Sequence, residues 1–216
     1  MQLGQIHRAA VSCFARQGFA ATGIRELGAA VGLNSATLYH YVGGKQELLL
    51  GVIRNCLDAM IDGAQDAVRD ADPAQRLAAL VAFHVGFTAT NPQTARVAEY
   101  EMRSLAGGNR EAMQSLRDEY EQLFTDALAD GERAGLFHAP DAGMARLAIM
   151  EMGTGVAHWY RPGGRLALAQ VQANFIEMAL RILAADPAVP DQLPVPARLD
   201  SEPHETEEPR NPEGAR

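Results

Sequence analysis

The chain reads as an all-α protein, with a group of short helices at its amino end and a larger helical body behind them. Three observations predict this. Apolar residues recur at i, i+3 and i+4 along almost every stretch, no segment alternates apolar and polar residues with a period of two, and the breaks fall at glycine or before proline. With 216 residues, 47% of them apolar, there is material for one large or two small packed domains.

The first helix spans residues 2–17, where Ile6, Ala9, Ala10, Cys13 and Phe14 share a face, and Gly18 ends it. A short helix follows from Ile24 to Ala30, with Leu27 and Val31 on its apolar side and Arg25 and Glu26 outward. Gly32 breaks the chain, because glycine adopts the left-handed backbone that closes a helix in a tight turn. Asn34 can then accept a hydrogen bond from the free amides of the next helix. That helix starts at Ser35. Leu38 and Val42, four apart, pack inward, which leaves Ser35, Ala36, Thr37, Tyr39 and His40 at the amino end or on the outer side. Such a surface suits a DNA major groove: Ser35 and Thr37 can reach base edges, Ala36 permits close approach, and Tyr39, His40 and Lys45 can hold phosphates.

From Thr22 to Lys45 the sequence resembles the helix-turn-helix of the TetR family of regulators. The family's run is a Thr pair, an Ile-Ala pair, a Gly-Val-Ser turn, Gly-x-x-Tyr-x-His-Phe and a Lys. It is met here by Thr22-Gly23, Leu27-Gly28, Gly32-Leu33-Asn34, Ala36-Thr37-Leu38-Tyr39-His40-Tyr41-Val42 and Lys45. Ala9-Ala10, Phe14, Gly18 and Phe19 extend the likeness upstream. Gly23 and Tyr41-Val42 depart from the family pattern at a phosphate-binding hydroxyl and at a His-Phe pair. The resemblance implies a TetR-like fold, with Thr22 and Arg25 joining the DNA contacts. It also implies a homodimer whose two heads span neighbouring major grooves of a near-palindromic double-stranded operator, and release by a small molecule bound in the body.

Residues 1–47 form the expected head and 48–185 the ligand-binding and dimerisation body. Lys45 to about Asp70 is one long helix with an apolar stripe of Leu48, Leu49, Val52, Ile53, Leu57, Met60 and Ile61, able to link the two parts. Asp72-Pro73 opens a helix to about Thr90, and Asn91-Pro92 breaks again. Helices are expected over about Thr94 to Leu105, Arg110 to Ala134, Asp141 to Tyr160 and Leu166 to Ala185. The last carries Leu168, Val171, Phe175, Met178 and Ile182 on one face and Ile176, Leu180 and Leu183 on another. A terminal helix apolar on two sides needs two partners, so Val171, Phe175, Met178 and Ile182 are assigned to a dimer interface, with burial inside one domain as the alternative. Residues 186–216 are rich in proline and acid and read as a disordered tail.

Charge separates the parts. The chain carries a net −8, yet residues 1–50 hold Arg8, Arg16, Arg25 and Lys45 against Glu26 and Glu47, so a mildly basic head sits on an acidic body. No run reaches the roughly 18 apolar residues of a membrane helix and no signal peptide opens the chain, so a cytoplasmic protein with no membrane partner is expected. Cys13 and Cys56 lie far from any CxxC spacing and read as buried thiols.

No GxSxG, GK[ST] phosphate loop, HExxH or CxxC assembles a catalytic group, so no enzyme activity, cofactor or metal is expected. A small helical enzyme stays as the alternative of another class. Trp159-Tyr160-Arg161-Pro162-Gly163-Gly164 offers stacking surface beside a cation, suited to a nucleotide or carboxylate, or else staples a helix end at the dimer interface. This run is similar to the carboxyl-terminal part of a TetR subgroup that controls lipid and steroid degradation and is released by CoA thioesters. If the body holds an acyl-CoA, its acyl chain is expected among Phe83, Phe87, Leu105, Phe124, Leu128 and Met152 and its nucleotide near the surface by Trp159 and Arg161, with Tyr100 and Arg103 also assigned to the ligand site. A repressor sensing cationic or aromatic drugs is the competing reading, kept open by Glu99, Tyr100 and Glu101.

Overall fold

The computed structural model describes residues 3–183, and every regular element among them is helical. The acidic tail expected over 186–216 lies outside the described residues. In order, the helices are α1 (Leu3–Ala21), α2 (Ile24–Ala30), α3 (Ser35–Val42), α4 (Lys45–Val68), α5 (Pro73–Thr90), α6 (Pro92–Glu101), α7 (Gly108–Arg133), α8 (Ala142–Thr154), α9 (Val156–Trp159) and α10 (Leu168–Ile182), with a 3-10 turn at Met102–Ser104.

Local chemistry accounts for most boundaries. Gly18, at φ 82°, breaks α1 from within, so the helical path bends before Phe19 instead of ending at residue 17. Asp72 caps α5 by accepting from Gln75 N at 2.9 Å, and Pro73 fills its first turn. Pro92 starts α6 at once, two residues before the expected Thr94, because a proline lacks only an amide that a first helical turn leaves unpaired anyway. The predicted helix from Asp141 to Tyr160 is divided at Gly155 into α8 and α9.

Two apolar cores result. One is built mainly by α1–α4, around Ile6, Phe14, Leu27, Leu38 and Leu49, yet it also takes Val97, Met102, Leu105 and Met113 from the body. The other surrounds α5, which is buried along nearly its whole length between α4, α7, α8 and α10. Glycines let the chain pack closely here: a Cβ on Gly63 of α4 would stand 2.4 Å from the Phe83 ring of α5, and one on Gly131 of α7 2.1 Å from Phe137 in the segment that follows α7. The head is therefore packed onto the body through α6 and the turn after it.

Candidate nucleic-acid interface and ligand cavity

The turn between α2 and α3 is tight for a stated reason. Gly32 sits at φ 69°, Leu33 N donates to Gly28 O at 2.8 Å, and a Cβ on Gly28 would lie 2.6 Å from Leu33 O. Asn34 Oδ1 accepts from Thr37 N at 2.8 Å, which fixes the start of α3. Leu38 is fully buried beneath the helix, while Ala36, His40 and Tyr39, the last 50% exposed, point outward with Arg25 of α2. Ser35 and Thr37 are half-buried at the amino end.

Two expected DNA contacts are corrected. Thr22 is 1% exposed: its hydroxyl donates to Gly18 O at 2.8 Å and accepts from Gln17 Nε2 at 3.3 Å, closing the break in α1. Lys45 Nζ donates to Phe19 O and Thr22 O, both at 2.9 Å, and lies 4.2 Å from the Phe19 ring centre. Its charge is engaged by carbonyls at the end of α1, where Phe19 O also accepts from Thr22 N, and it ties α4 to α1.

The body contains a pocket partly open to solvent, with about 560 Å³ of empty space when the solvent at its mouth is included. Five helices and the 3-10 turn line it: Cys56, Leu57 and Met60 from α4, His84 and Thr88 from α5, Ala95, Ala98 and Glu99 from α6, Met102 from the 3-10 turn, Arg117 and Tyr120 from α7, and Met150 and Thr154 from α8. The wall is mostly apolar, with a polar strip centred on His84. Nε2 of that residue lies 3.1 Å from Met150 O and 3.2 Å from Thr154 Oγ1, and Nδ1 lies 3.0 Å from the Tyr120 hydroxyl. A carbonyl can only accept, so Nε2 carries the hydrogen, and Tyr120 must donate to Nδ1. Burial pushes the imidazole pKa down to about 4 and the Tyr120 phenol well above its usual range, so both stay neutral. Gly153 makes room for this ring, since a Cβ there would stand 2.3 Å from His84 Cδ2.

None of the ten residues expected to hold the ligand lines this cavity. Phe83, Phe87, Phe124 and Leu128 are buried in the body core, with Phe124 edge-on to His84 as backing for the wall. Leu105 is buried in the core of the head. Arg103 and Tyr100 are exposed, Met152 is half-buried on another face of α8, and Arg161 donates to its own neighbour's Tyr160 O at 2.7 Å. Trp159 is 52% exposed and stacks on Phe175 with 6.3 Å between ring centres. Several missed residues stand one or two positions away, His84 beside Phe83, Thr88 beside Phe87, Glu99 beside Tyr100 and Met102 beside Arg103, whereas Cys56, Leu57, Met60 and Arg117 lie on stretches to which no ligand role was assigned. One position on a helix turns a side chain by about 100°, enough to move it from core to cavity.

Cavity and head are linked through the carboxyl end of α6. Glu101, almost fully buried, accepts from Phe19 N at 2.9 Å, at the bend in α1, and from Ser104 Oγ at 2.7 Å. Gln46, in the first turn of α4, donates to Ser104 O at 3.2 Å. On α10 the two apolar faces are divided. Val171 is 1% exposed and belongs to the body core with Ile176 and Leu180, which corrects its assignment to a subunit interface. Met178 and Ile182 are each 40% exposed, half-buried Phe175 shares their side, and Met144 and Leu147 of α8 are exposed as well.

An outward-facing second helix of a helix-turn-helix, joined by a hydrogen-bonded strut to an apolar cavity, defines a DNA-binding regulator that answers to a small molecule. Comparison with known proteins agrees. The model of bacterial regulatory proteins of the tetR family matches residues 6–52, and that of the tetracyclin repressor-like C-terminal domain matches residues 70–183, just over half the chain. The HTH-type transcriptional repressor KstR2 of Mycobacterium tuberculosis (strain ATCC 25618 / H37Rv) is 28% identical over 182 residues, covering 82% of this chain and 90% of that protein. A tetR-family regulatory protein from Rhodococcus RHA1 shares the fold at a TM-score of 0.80 and 28% identity, over 86% of this chain and 99% of the other. AibR, solved with isovaleryl coenzyme A and operator DNA, shares it at a TM-score of 0.75 and 20% identity, over 86% of this chain and 100% of the other. The chain belongs to the TetR family. It is a ligand-responsive, DNA-binding repressor of transcription and not an enzyme, and it acts on an operator as a dimer, as its family does.

Proposed function

We propose that the inducer is an acyl-CoA thioester whose acyl group enters the cavity and whose binding releases the operator. The observation that carries this reading is the apolar cavity itself, walled by the same α6 that grips the bend of α1 through Glu101. Two likenesses support it: the relatives named as KstR2 repressors span most of this chain, and AibR, of the same fold, was solved with an acyl-CoA and DNA together. Apolar burial supplies roughly 0.8 kcal/mol per methylene, so affinity rises with the acyl group until the cavity fills. Arg117, on the cavity wall, takes over the role first given to Arg161 as the cation nearest the thioester's polar end.

Release requires that the ligand bind the DNA-incompetent arrangement better, and a difference of about 3 kcal/mol shifts the equilibrium more than a hundredfold. A thioester that pushes α6 outward pulls on Phe19 through Glu101 and on α4 through Ser104 and Gln46, and so re-aims α3. On the DNA side, Arg25, Ser35, Ala36, Thr37, Tyr39 and His40 form the contact surface. On the subunit side, Phe175, Met178 and Ile182 pair with their copies, joined by Met144 and Leu147. The drug-sensing alternative needs several acids and aromatics on the cavity. Glu99 is there, but Tyr100 lies on the surface and Glu101 is engaged with the head.

The test is titration of the protein–operator complex with matched thioesters and free acids. Thioesters should dissociate it and the acids should do so far more weakly. Equal potency, or no response to any thioester, overturns the CoA assignment and leaves the repressor assignment intact.

A further inference from the structure

We infer that the group seated in the cavity carries a hydroxyl, and that this hydroxyl donates its hydrogen to the carboxylate of Glu99. The inference rests on the reading that a small organic ligand occupies the cavity, and it names a feature of that ligand.

Its basis is the hydrogen-bonding state of the wall. Nε2–H of neutral His84 is shared between Met150 O and Thr154 Oγ1, and Tyr120 donates to His84 Nδ1. Thr88 donates to the carbonyl of its own helical turn, His84 O, at 2.7 Å, and Arg117 Nε donates to Glu121 at 3.3 Å. The imidazole, the Tyr120 and Thr88 hydroxyls and Arg117 Nε thus have acceptors within the protein, and the remaining guanidinium N–H groups of Arg117 are donors that call for an acceptor on the ligand. Glu99 is the opposite case. Its Oε2 is shielded from solvent and accepts no hydrogen bond from any described residue. His158 Nε2 stands 3.6 Å away, at ion-pair distance when protonated but too far to donate a hydrogen bond, and it meets the Tyr100 hydroxyl at 3.2 Å; the Glu99 side chain as a whole is 26% exposed.

A solvent-shielded carboxylate oxygen without a donor is costly, and a ligand that brings one recovers that cost on binding. A keto or ester oxygen placed there would set acceptor against acceptor. An ammonium could donate, but the charge around the cavity does not call for one. Arg117 and Arg146 both pair with the single carboxylate of Glu121, which leaves a positive excess to balance Glu99. A neutral donor on an otherwise apolar body is the chemistry that fits, which points to a hydroxylated acyl or alicyclic group.

The experiment measures direct binding by calorimetry to the full-length protein and to Glu99→Ala and Glu99→Gln. Two matched pairs are used: β-hydroxyoctanoyl-CoA against octanoyl-CoA, and cyclohexanol against methoxycyclohexane, which keeps the oxygen but has no donor. The wild-type protein should prefer the hydroxyl member of at least one pair by about tenfold or more, the usual gain from a hydrogen bond to a charged group. Alanine should erase the preference, and glutamine, which keeps an acceptor oxygen, should retain part of it; cooperative thermal unfolding shows that both variants fold. Equal affinity within both pairs, or a preference undiminished in Glu99→Ala, overturns the inference. If neither thioester binds but cyclohexanol is preferred through Glu99, the thioester reading falls and this one stands. If both thioesters bind and no pair shows a preference, the reverse holds. Binding by no member of either pair overturns both.

Discussion

Replacing Glu101 by alanine should weaken the fold and uncouple ligand from DNA. The carboxylate holds two donors in a nearly dry site: Phe19 N at 2.9 Å, where α1 bends at Gly18, and Ser104 Oγ at 2.7 Å. Alanine leaves the Phe19 amide without its acceptor, and losing a hydrogen bond to a charged group in such a site costs about 2–3 kcal/mol. Glu101→Gln is the control. Its amide oxygen can still accept from Phe19 N, and its NH2 can donate to the Ser104 hydroxyl, so the expected loss is about 1 kcal/mol. Glu101 does not line the cavity, so the second effect is on coupling. Allosteric couplings are typically about 1–3 kcal/mol, so the 5- to 150-fold fall in operator affinity that ligand causes should shrink towards none in the alanine variant. Urea unfolding measures the first effect, and fluorescence anisotropy of labelled operator with and without ligand measures the second. An alanine variant as stable as wild type would refute the buried hydrogen bonds as a source of stability. One with undiminished ligand-dependent release would refute the strut.

Three further outcomes are expected. Tyr39→Ala, at a position exposed on α3, should weaken operator binding by about 1–3 kcal/mol without lowering stability; unchanged affinity in the folded variant would remove Tyr39 from the contact surface. Phe175→Glu and Ile182→Glu should each give monomers that lose tight operator binding, and sedimentation of intact dimers for both would move the interface elsewhere. The third concerns pH: His84 titrates near pH 4 when folded, against 6.5 when unfolded. As pH falls, the unfolded chain takes up this proton first, so stability that is complete above about pH 6.5 is lost progressively down to pH 4, by about 3 kcal/mol. Urea midpoints for wild type and His84→Gln should therefore converge as pH falls through this range, and parallel curves would contradict the buried neutral imidazole.

What the sequence determined by itself is whatever depends on a few neighbouring residues. Gly32 and Asn34 mark the break and the cap of the head where expected, because left-handed backbone and side-chain capping are local events; Gly18 breaks α1 by the same local means, but the helix resumes to Ala21 beyond it. The inward Leu38 and outward Tyr39 of α3 follow from one short amphipathic turn. Along α5 the local pattern does not distinguish core from cavity. That helix is apolar on nearly all sides and packed from four directions, so its periodicity carries no phase, and Phe83 and Phe87 look as suited to a ligand as His84 and Thr88. Lys45 has the residue type of a phosphate contact, but the carbonyls that hold it belong to residues 26 and 23 positions away in the chain. Glu101 lies between the cavity-lining Glu99 and Met102, and 82 positions from the amide whose hydrogen bond it accepts. Which polar groups meet across such separations is decided only when helices pack, because a hydrogen bond depends on position in space to within a few tenths of an ångström, and residue order along the chain does not specify that.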